Sequence, residues 1–284
     1  MITPFVAGRR GPLQLEVLRA LVREGFEVDV ERATALDPVD ADACRRALLE
    51  ARADVVVDCS GADDRPGPDT VDELDRLLIG SENLALAAAE LDAYSVFVSS
   101  AHVFGERNVG ARVESDLPAP TTALGAAVLS AERTVGVVNE QHAIVRTTAL
   151  YGRYWPTPFE ALLARAAAGE QIVADQKTVC PPTYAPHLAA LLIAMIRNPS
   201  YGILHRAATG ECSEFDLART LVALTGVDTR VDPAPPAPEA DRALRQPACL
   251  TSRRKELPSL PHWRIGLRVW ALERDIASHE AGNR

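Results

Sequence analysis

Lysine is nearly absent from this sequence. Of its 30 basic residues only Lys177 and Lys255 are not arginine, which limits the chemistries that a lysine can serve. There is no Cys-x-x-Cys. The five cysteines (Cys44, Cys59, Cys180, Cys212, Cys249) are scattered and odd in number, which reads as reduced thiols, with Cys59 and Cys180 as small buried fillers. The six histidines do not fall at ligand spacing with each other or with the cysteines, so no metal is expected. No apolar run comes near the roughly 20 residues that cross a bilayer. The run Phe5-Val6-Ala7 ends at Arg9 and Arg10 and makes no signal-type stretch. With a net charge of −9 there is no basic stripe for a phosphate backbone. No Gly-x-Ser-x-Gly elbow of a hydrolase occurs. These absences exclude membrane, collagen-like, disordered and nucleic-acid-binding classes and lead us to expect a cytoplasmic protein; they say nothing of oligomeric state.

What is present is an alternation. Ile2 to Ala7 reads as a strand, Leu13 to Arg23 as an amphipathic helix, Phe26 to Val30 as a second strand and Asp40 to Ala51 as a helix. Asp54-Val-Val-Val-Asp-Cys59 is an apolar run of the kind buried on both faces of a parallel sheet. Further helices are expected near 71–90 and 122–139, and strands near 95–99 and 142–146. Strands alternating with helices of this length predict an α/β, Rossmann-type doubly wound parallel sheet. After residue 150 the rhythm breaks into an aromatic loop, helices near 158–168, 185–197 and 214–224, and short strands near 171–173 and 203–205. Val231 to Pro247 reads as an extended connector, and an amphipathic stretch near 265–277 closes the chain. The expected organisation is a dinucleotide-binding domain over 1–150, with contributions from about 171–206, and a smaller substrate-binding cap over most of 151–284.

The first strand runs into Gly8-Arg-Arg-Gly11 and then a helix opened by Pro12 and Leu13. That context lets backbone N–H groups and a helix N-terminus hold a pyrophosphate, although the third glycine position is Gln14. Arg9, Arg10 and Arg32 suit the adenosine 2′-phosphate and favour NADPH, while Glu31 points to a free 2′-hydroxyl and keeps NADH open.

Several further segments then fall in a familiar order: Ala53 to Gly61, Gly80-Ser-Glu-Asn-Leu-Ala85, Val96-Phe-Val-Ser-Ser-Ala-His-Val-Phe-Gly105, Glu114 to Pro120, Ile144 to Gly152, Asp175-Gln176 and Pro182 to Ala185. Together they resemble the extended short-chain dehydrogenase/reductases of the dTDP-4-dehydrorhamnose reductase branch, over nearly the whole chain. The resemblance implies NAD(P)H-dependent ketone reduction. It also adds Asp37, Ser60, Gly61, Thr147 and Thr148 to the cofactor set. The family's catalytic tyrosine and lysine, four residues apart, fall here on Leu124 and Val128, and no Tyr-x-x-x-Lys exists anywhere in the chain. Of the catalytic triad only the serine position remains, as Ser100.

Loss of a positioned acid costs about 10²–10⁴ in rate, or ~3–5 kcal/mol of barrier. Leucine and valine do not replace it. A ketone hydrogen-bonded to an acidic neighbouring hydroxyl, as in a phenolic aromatic polyketide, brings its own proton. The protein then supplies positioning and donors to the oxyanion. This pattern resembles the tyrosine-less ketoreductases of actinomycete aromatic polyketide pathways. The expected catalytic groups are Ser100, Ser99 and His102. Phe104, Leu124, Val128, Tyr151, Tyr154, Trp155, Tyr184 and His187 are the expected substrate-pocket residues. Each has a plainer alternative: Ser100 as a cap, His102 as a satisfied buried histidine, Tyr184 as core. A catalytically dead nucleotide-binding regulatory subunit and a conventional sugar-nucleotide reductase are the competing functions.

Overall fold

The protein is described from a computed structural model, which covers residues 2–8, 12–62, 70–105, 110–154, 158–176, 178–234 and 249–282. Its main sheet has five parallel strands: β1 (Pro4–Ala7), β2 (Val55–Asp58), β3 (Tyr94–Ser100), β4 (His142–Thr147) and β9 (Gly202–His205), in that spatial order. β1 to β3 are buried along their whole length, because helices cover both faces of the sheet. Alternation sorts the side chains. Phe97 and Ile144 point to the face carrying α4 (Val71–Glu90) and α5 (Ala123–Val138), where they join Leu77, Val128 and Leu129. Val96, Val98 and Val145 point to the other face, which holds α1 (Pro12–Arg23) and α7 (Ala185–Arg197).

The expected strand at Phe26–Val30 does not form. Residues 26–29 are irregular, and α2 (Val30–Ala35) begins where the Asp29 carboxylate accepts from the Arg32 backbone N–H at 2.9 Å. The Asp29 cap starts a helix at Val30, so only the last residue of the expected strand is helical and 26–29 stay irregular. Gln14, at the third glycine position, then closes the exposed edge of β1 by donating its side-chain amide to the carbonyls of Val6 (3.1 Å) and Ala33 (2.9 Å).

Beyond β4 the chain forms β5 (Leu150–Tyr151), α6 (Pro158–Ala167), β6 (Ile172–Asp175), β7 (Thr178–Val179) and β8 (Thr183–Tyr184), then α7 and β9. It goes on to β10 (Cys212–Ser213), α8 (Glu214–Thr225), β11 (Val231–Ala234) and a C-terminal helix, Trp263–Gly282. Trp263, Leu267 and Trp270 of that helix pack with Tyr151, Phe159, Tyr184 and Leu221 in a second core. Of the expected connector at 231–247, β11 is a strand parallel to β6; the remainder lies outside the described residues.

One glycine joins the sheet ends to α5. A Cβ at Gly125 would overlap the carbonyl oxygen of His102 and touch the Pro120 ring at 3.0 Å. Gly125→Ala is expected to cost about 1–3 kcal/mol by overpacking, read as a lower urea midpoint, since the obstacle is backbone.

Candidate active site

Ser99 and Ser100 end β3, and in the parallel register Ser99 lies beside Arg146 and Ser100 beside Thr147. Alternation sends the first pair towards α5 and the second to the opposite face. On the α5 side the Ser99 hydroxyl donates to Glu132 Oε1 (2.5 Å), and Arg146 grips the same carboxylate with Nε (2.8 Å) and Nη2 (2.7 Å). Both charged side chains are almost fully buried, at 2% and 3% exposure. The guanidinium also lies over the Phe104 ring, 5.0 Å from its centroid.

His205, at the end of β9, extends this network. Its Nδ1 lies 3.0 and 3.1 Å from the carbonyl oxygens of Arg112 and Thr251, which only accept, so Nδ1 carries the proton. Nε2 then accepts from Arg146 Nη1 at 3.4 Å. Burial holds the imidazole below its ordinary pKa, consistent with a neutral ring. Beyond it, Glu114 accepts from the His205 and Arg253 backbone N–H groups and from the Ser252 hydroxyl. Burial raises the Glu114 pKa, but those hydrogen bonds outweigh it and bring the carboxyl down to about 2.

Ser99 is therefore not available as a catalytic hydroxyl: Glu132 holds it. Ser100 is buried at 3% exposure and caps the short turn Ala101–Phe104, its oxygen accepting from the His102 N–H at a long 3.4 Å. Beside it, the Thr147 hydroxyl is buried without a hydrogen-bond partner among the described residues. Thr148 is committed, donating to the Pro181 carbonyl and sharing a hydrogen bond with Thr183, both at 2.9 Å. His102 is half-buried at the turn.

The expected substrate pocket is only partly assembled. Phe104 and Val128 sit in the α5-side core, and Leu124 packs half-buried against it, because that face of α5 is apolar throughout the tyrosine and lysine positions. Tyr151 and Tyr184 belong to the second core, 5.3 Å apart, and Tyr184 donates to Glu273 at 2.9 Å. Burial raises both phenol pKa values, and for Tyr184 the Glu273 hydrogen bond adds to it. His187 meets the edge of Tyr184 and is half-buried; Tyr154 is exposed; Trp155 lies outside the described residues. A cavity of about 470 Å³ does open beyond the ends of β4 and β9, lined by Thr148, Pro181, Arg206, Cys249, Ser252 and Lys255 among others.

The cofactor set is divided. Gly8 is buried against the end of β2, where a Cβ would stand 3.3 Å from that of Cys59, and Pro12 and Leu13 open α1. Arg9, Arg10 and Gly11 lie outside the described residues. Ser60 donates its hydroxyl to Asp58 at 2.6 Å, and Gly61 has no room for a Cβ against Phe97. Arg32 does not point to a phosphate: replacing the strand with α2 turns it to Glu50 (3.2 Å) and Asp29 (3.5 Å). Asp37 is occupied by Arg76 at 2.7 Å, a hydrogen bond that lowers its pKa. The close approach at Gly8, the helix start and the unpartnered Thr147 hydroxyl fit a dinucleotide at the strand ends.

Not all cysteines are reduced. Cys180 and Cys249 form a disulfide across 69 positions, while Cys44, Cys59 and Cys212 are buried thiols outside any disulfide. The two partners are distant in sequence and meet only when the residue after β7 and the segment 249–255 cross. Among the described residues no cluster of three His, Cys, Asp or Glu side chains could hold a metal ion, and no helix is long and apolar enough to cross a membrane.

Sequence reasoning missed Glu132, Arg146 and His205. A signal existed: Glu132 is a lone acid among the buried Ala127, Val128, Leu129, Ala131 and Val135, and Arg146 a lone cation in an apolar strand. Charges in such places are nearly always paired.

A parallel Rossmann-type sheet with a buried glycine directly after its first strand is a fold that nucleotide-dependent oxidoreductases use. The family described as "RmlD substrate binding domain" matches residues 3–272. A dTDP-4-dehydrorhamnose reductase of Streptomyces griseus is 32% identical over 93% of this chain and 91% of its own. A probable dTDP-4,6-dihydroxy-2-methyloxan-3-one 4-ketoreductase of Streptomyces antibioticus is 30% identical over 86% and 83%. The crystal structure of dTDP-4-dehydrorhamnose reductase from Bacillus anthracis in complex with NADP superposes with a TM-score of 0.81 at 23% identity, covering 96% of this chain and 100% of that one. The chain belongs to the RmlD substrate-binding-domain family, whose characteristic members are NAD(P)H-dependent ketone reductases.

Proposed function

We propose that this protein reduces a ketone with NADPH, NADH being the second choice, and takes the proton for the new alkoxide from the substrate's neighbouring hydroxyl or from water. The observation that carries this reading is the α5 face. Leu124 and Val128 occupy the acid and lysine positions, and the next charge along it, Glu132, is locked to Arg146 and Ser99. A substrate suited to such a site is a phenolic aromatic polyketide ketone of the angucyclinone type. Residues 1–150, with 171–206, hold the cofactor in a cytoplasmic enzyme, and most of 151–284 caps the substrate.

NADPH, when bound, supplies the hydride. Gly8 and the start of α1 at Pro12 and Leu13 receive its pyrophosphate, and Arg9 and Arg10 are the candidates of the sequence for the 2′-phosphate. Thr147 offers its unpartnered hydroxyl at the nicotinamide end. Ser100 turns its hydroxyl to the developing oxyanion, while its bond to the His102 N–H is long enough to yield. A second reading, a reductase of dTDP-linked keto sugars, is favoured by the names of the relatives.

Nicotinamide fluorescence on titration with NADPH and then NADH tests the first half of the proposal. Loss of nicotinamide absorbance on adding a peri-hydroxylated polycyclic ketone tests the second, and methylating that hydroxyl is expected to slow turnover by about 10²–10⁴. Equal rates for the free and methylated ketones overturn substrate-assisted protonation. Turnover of a dTDP-linked keto sugar alone establishes the second reading, and NADPH binding without turnover of either points to a regulatory subunit. Ser100→Ala is expected to lower kcat by about 10²-fold without abolishing it; a complete loss restores a protein acid.

A further inference from the structure

We propose that the Cys180–Cys249 disulfide is a thiol–disulfide exchange site that latches one wall of the 470 Å³ cavity, so that oxidation fixes that wall and reduction loosens it. The kinetic arm rests on the reductase reading above; the structural arm does not.

The wall is the strap 249–255, which supplies Cys249, Leu250, Thr251, Ser252 and Lys255 to the cavity. Midway, its Thr251 carbonyl meets His205 Nδ1 at 3.1 Å, and its two ends are held in different ways. At its far end Ser252 accepts from Arg206 Nη1 (2.7 Å) and donates to Glu114, the Arg253 N–H donates to Glu114 (3.1 Å), and Arg254 reaches the Tyr201 carbonyl (2.8 Å). These polar contacts are redox-blind. At its near end the strap runs alongside Arg112, whose N–H donates to the Cys249 carbonyl (2.7 Å) and whose carbonyl accepts from Thr251 (2.8 Å). There the disulfide is the covalent tie, joining the strap to the residue after β7. Pro181, next to Cys180, also lines the cavity, so the bond spans two of its walls.

Chemistry and compartment agree. Both bonded cysteines are half-buried, not sealed in the core. Cys44 and Cys212 are buried, and burial raises both thiols to about 12, which makes them inert. Burial also raises Cys59 well above the ordinary thiol value. In a cell compartment rich in NADPH and reduced glutathione, a disulfide that is not sealed in the core is open to exchange. The step balances with a dithiol as reductant. Its thiolate attacks one sulfur of the Cys180–Cys249 bond and forms a mixed disulfide, the other cysteine leaving as thiolate. The second thiol of the reductant then displaces the first cysteine. Two electrons and two protons pass from the dithiol, which becomes a disulfide, to the two cysteines. The strap then swings from Cys249 on the Ser252–Glu114 pivot.

The test uses the full chain, air-oxidised, with and without dithiothreitol under native conditions. Iodoacetamide is expected to label Cys180 and Cys249 only after reduction. The Arg112 and Thr251 amides are expected to exchange about tenfold faster when reduced, while the His205 amide, bonded to Glu114, stays as it was. The KM for the ketone is expected to change several-fold with NADPH affinity constant, and Cys180→Ser/Cys249→Ser to behave as the reduced form whatever the reductant. Labelling before reduction, or equal exchange in both states, overturns the latch, and wild-type protein alone suffices if the variant does not fold. Without ketone turnover the exchange result decides: responsive amides keep the latch while the reductase reading fails. Turnover with unresponsive amides and an unchanged KM does the reverse.

Discussion

Arg146→Met is expected to destabilise the protein by about 3–5 kcal/mol. The guanidinium sits inside the sheet–helix interface at 2% exposure, and removing it leaves Glu132 buried with one hydroxyl, Ser99, on a carboxylate that has just lost two charged donors. His205 also loses the donor on Nε2, and Phe104 the cation over its ring. Typical domain stability is only ~5–15 kcal/mol, so the loss takes a large share of it. The size of the effect is not the net worth of the ion pair. Removing both partners together, Glu132→Leu/Arg146→Met, is expected to cost less than the single change, because no buried charge is then left alone. Urea midpoints of the two singles and the double decide the point. A single change no worse than the double would mean that water or another donor reaches Glu132.

The second large effect comes from trying to rebuild the family's catalytic pair. Val128 is fully buried against Phe97, Phe104, Leu129 and Ile144. A lysine there places an ammonium in an apolar cluster. The acid one turn along, Glu132, has its oxygens taken by Arg146 and Ser99. Burial without a partner lowers a lysine pKa by up to ~3–5 units, and one unit is worth about 1.4 kcal/mol. Val128→Lys is therefore expected to cost several kcal/mol at neutral pH. The sign of its pH dependence follows. The folded-state pKa lies below the unfolded value, so between the two the unfolded chain binds more protons and stability rises with pH. The penalty relative to wild type should shrink as pH climbs towards the ordinary lysine value of about 10.4. Leu124→Tyr/Val128→Lys is expected to gain no turnover of the methylated ketone, because α5 offers the pair no polar setting. A gain of tenfold or more would show that the site is an ordinary one lacking two side chains.

Local pattern and the covalent order of residues were enough for the sheet. The alternation of apolar strand and amphipathic helix depends on near neighbours, so β2, β3 and β4 and the long helices between them could be placed from spacing alone, and the missing Tyr-x-x-x-Lys could be seen by inspection. The exception among the early elements is Phe26–Val30, where the Asp29 cap starts a helix at the last residue and 26–29 stay irregular.

What the tertiary structure decided is who meets whom. Ser99 and Ser100 are adjacent and chemically identical, yet strand register against β4 gives one to the Glu132–Arg146 pair and leaves the other on the opposite face, capping the Ala101–Phe104 turn. Tyr151 and Tyr184 look like pocket residues on loops, but the C-terminal helix, far along the chain from both, turns both into core. Cys180 and Cys249 become partners only because the fold brings together two segments 69 positions apart. In each case the outcome is set by a contact between segments far apart in the chain, and spacing along one segment carries no information about the distance to another.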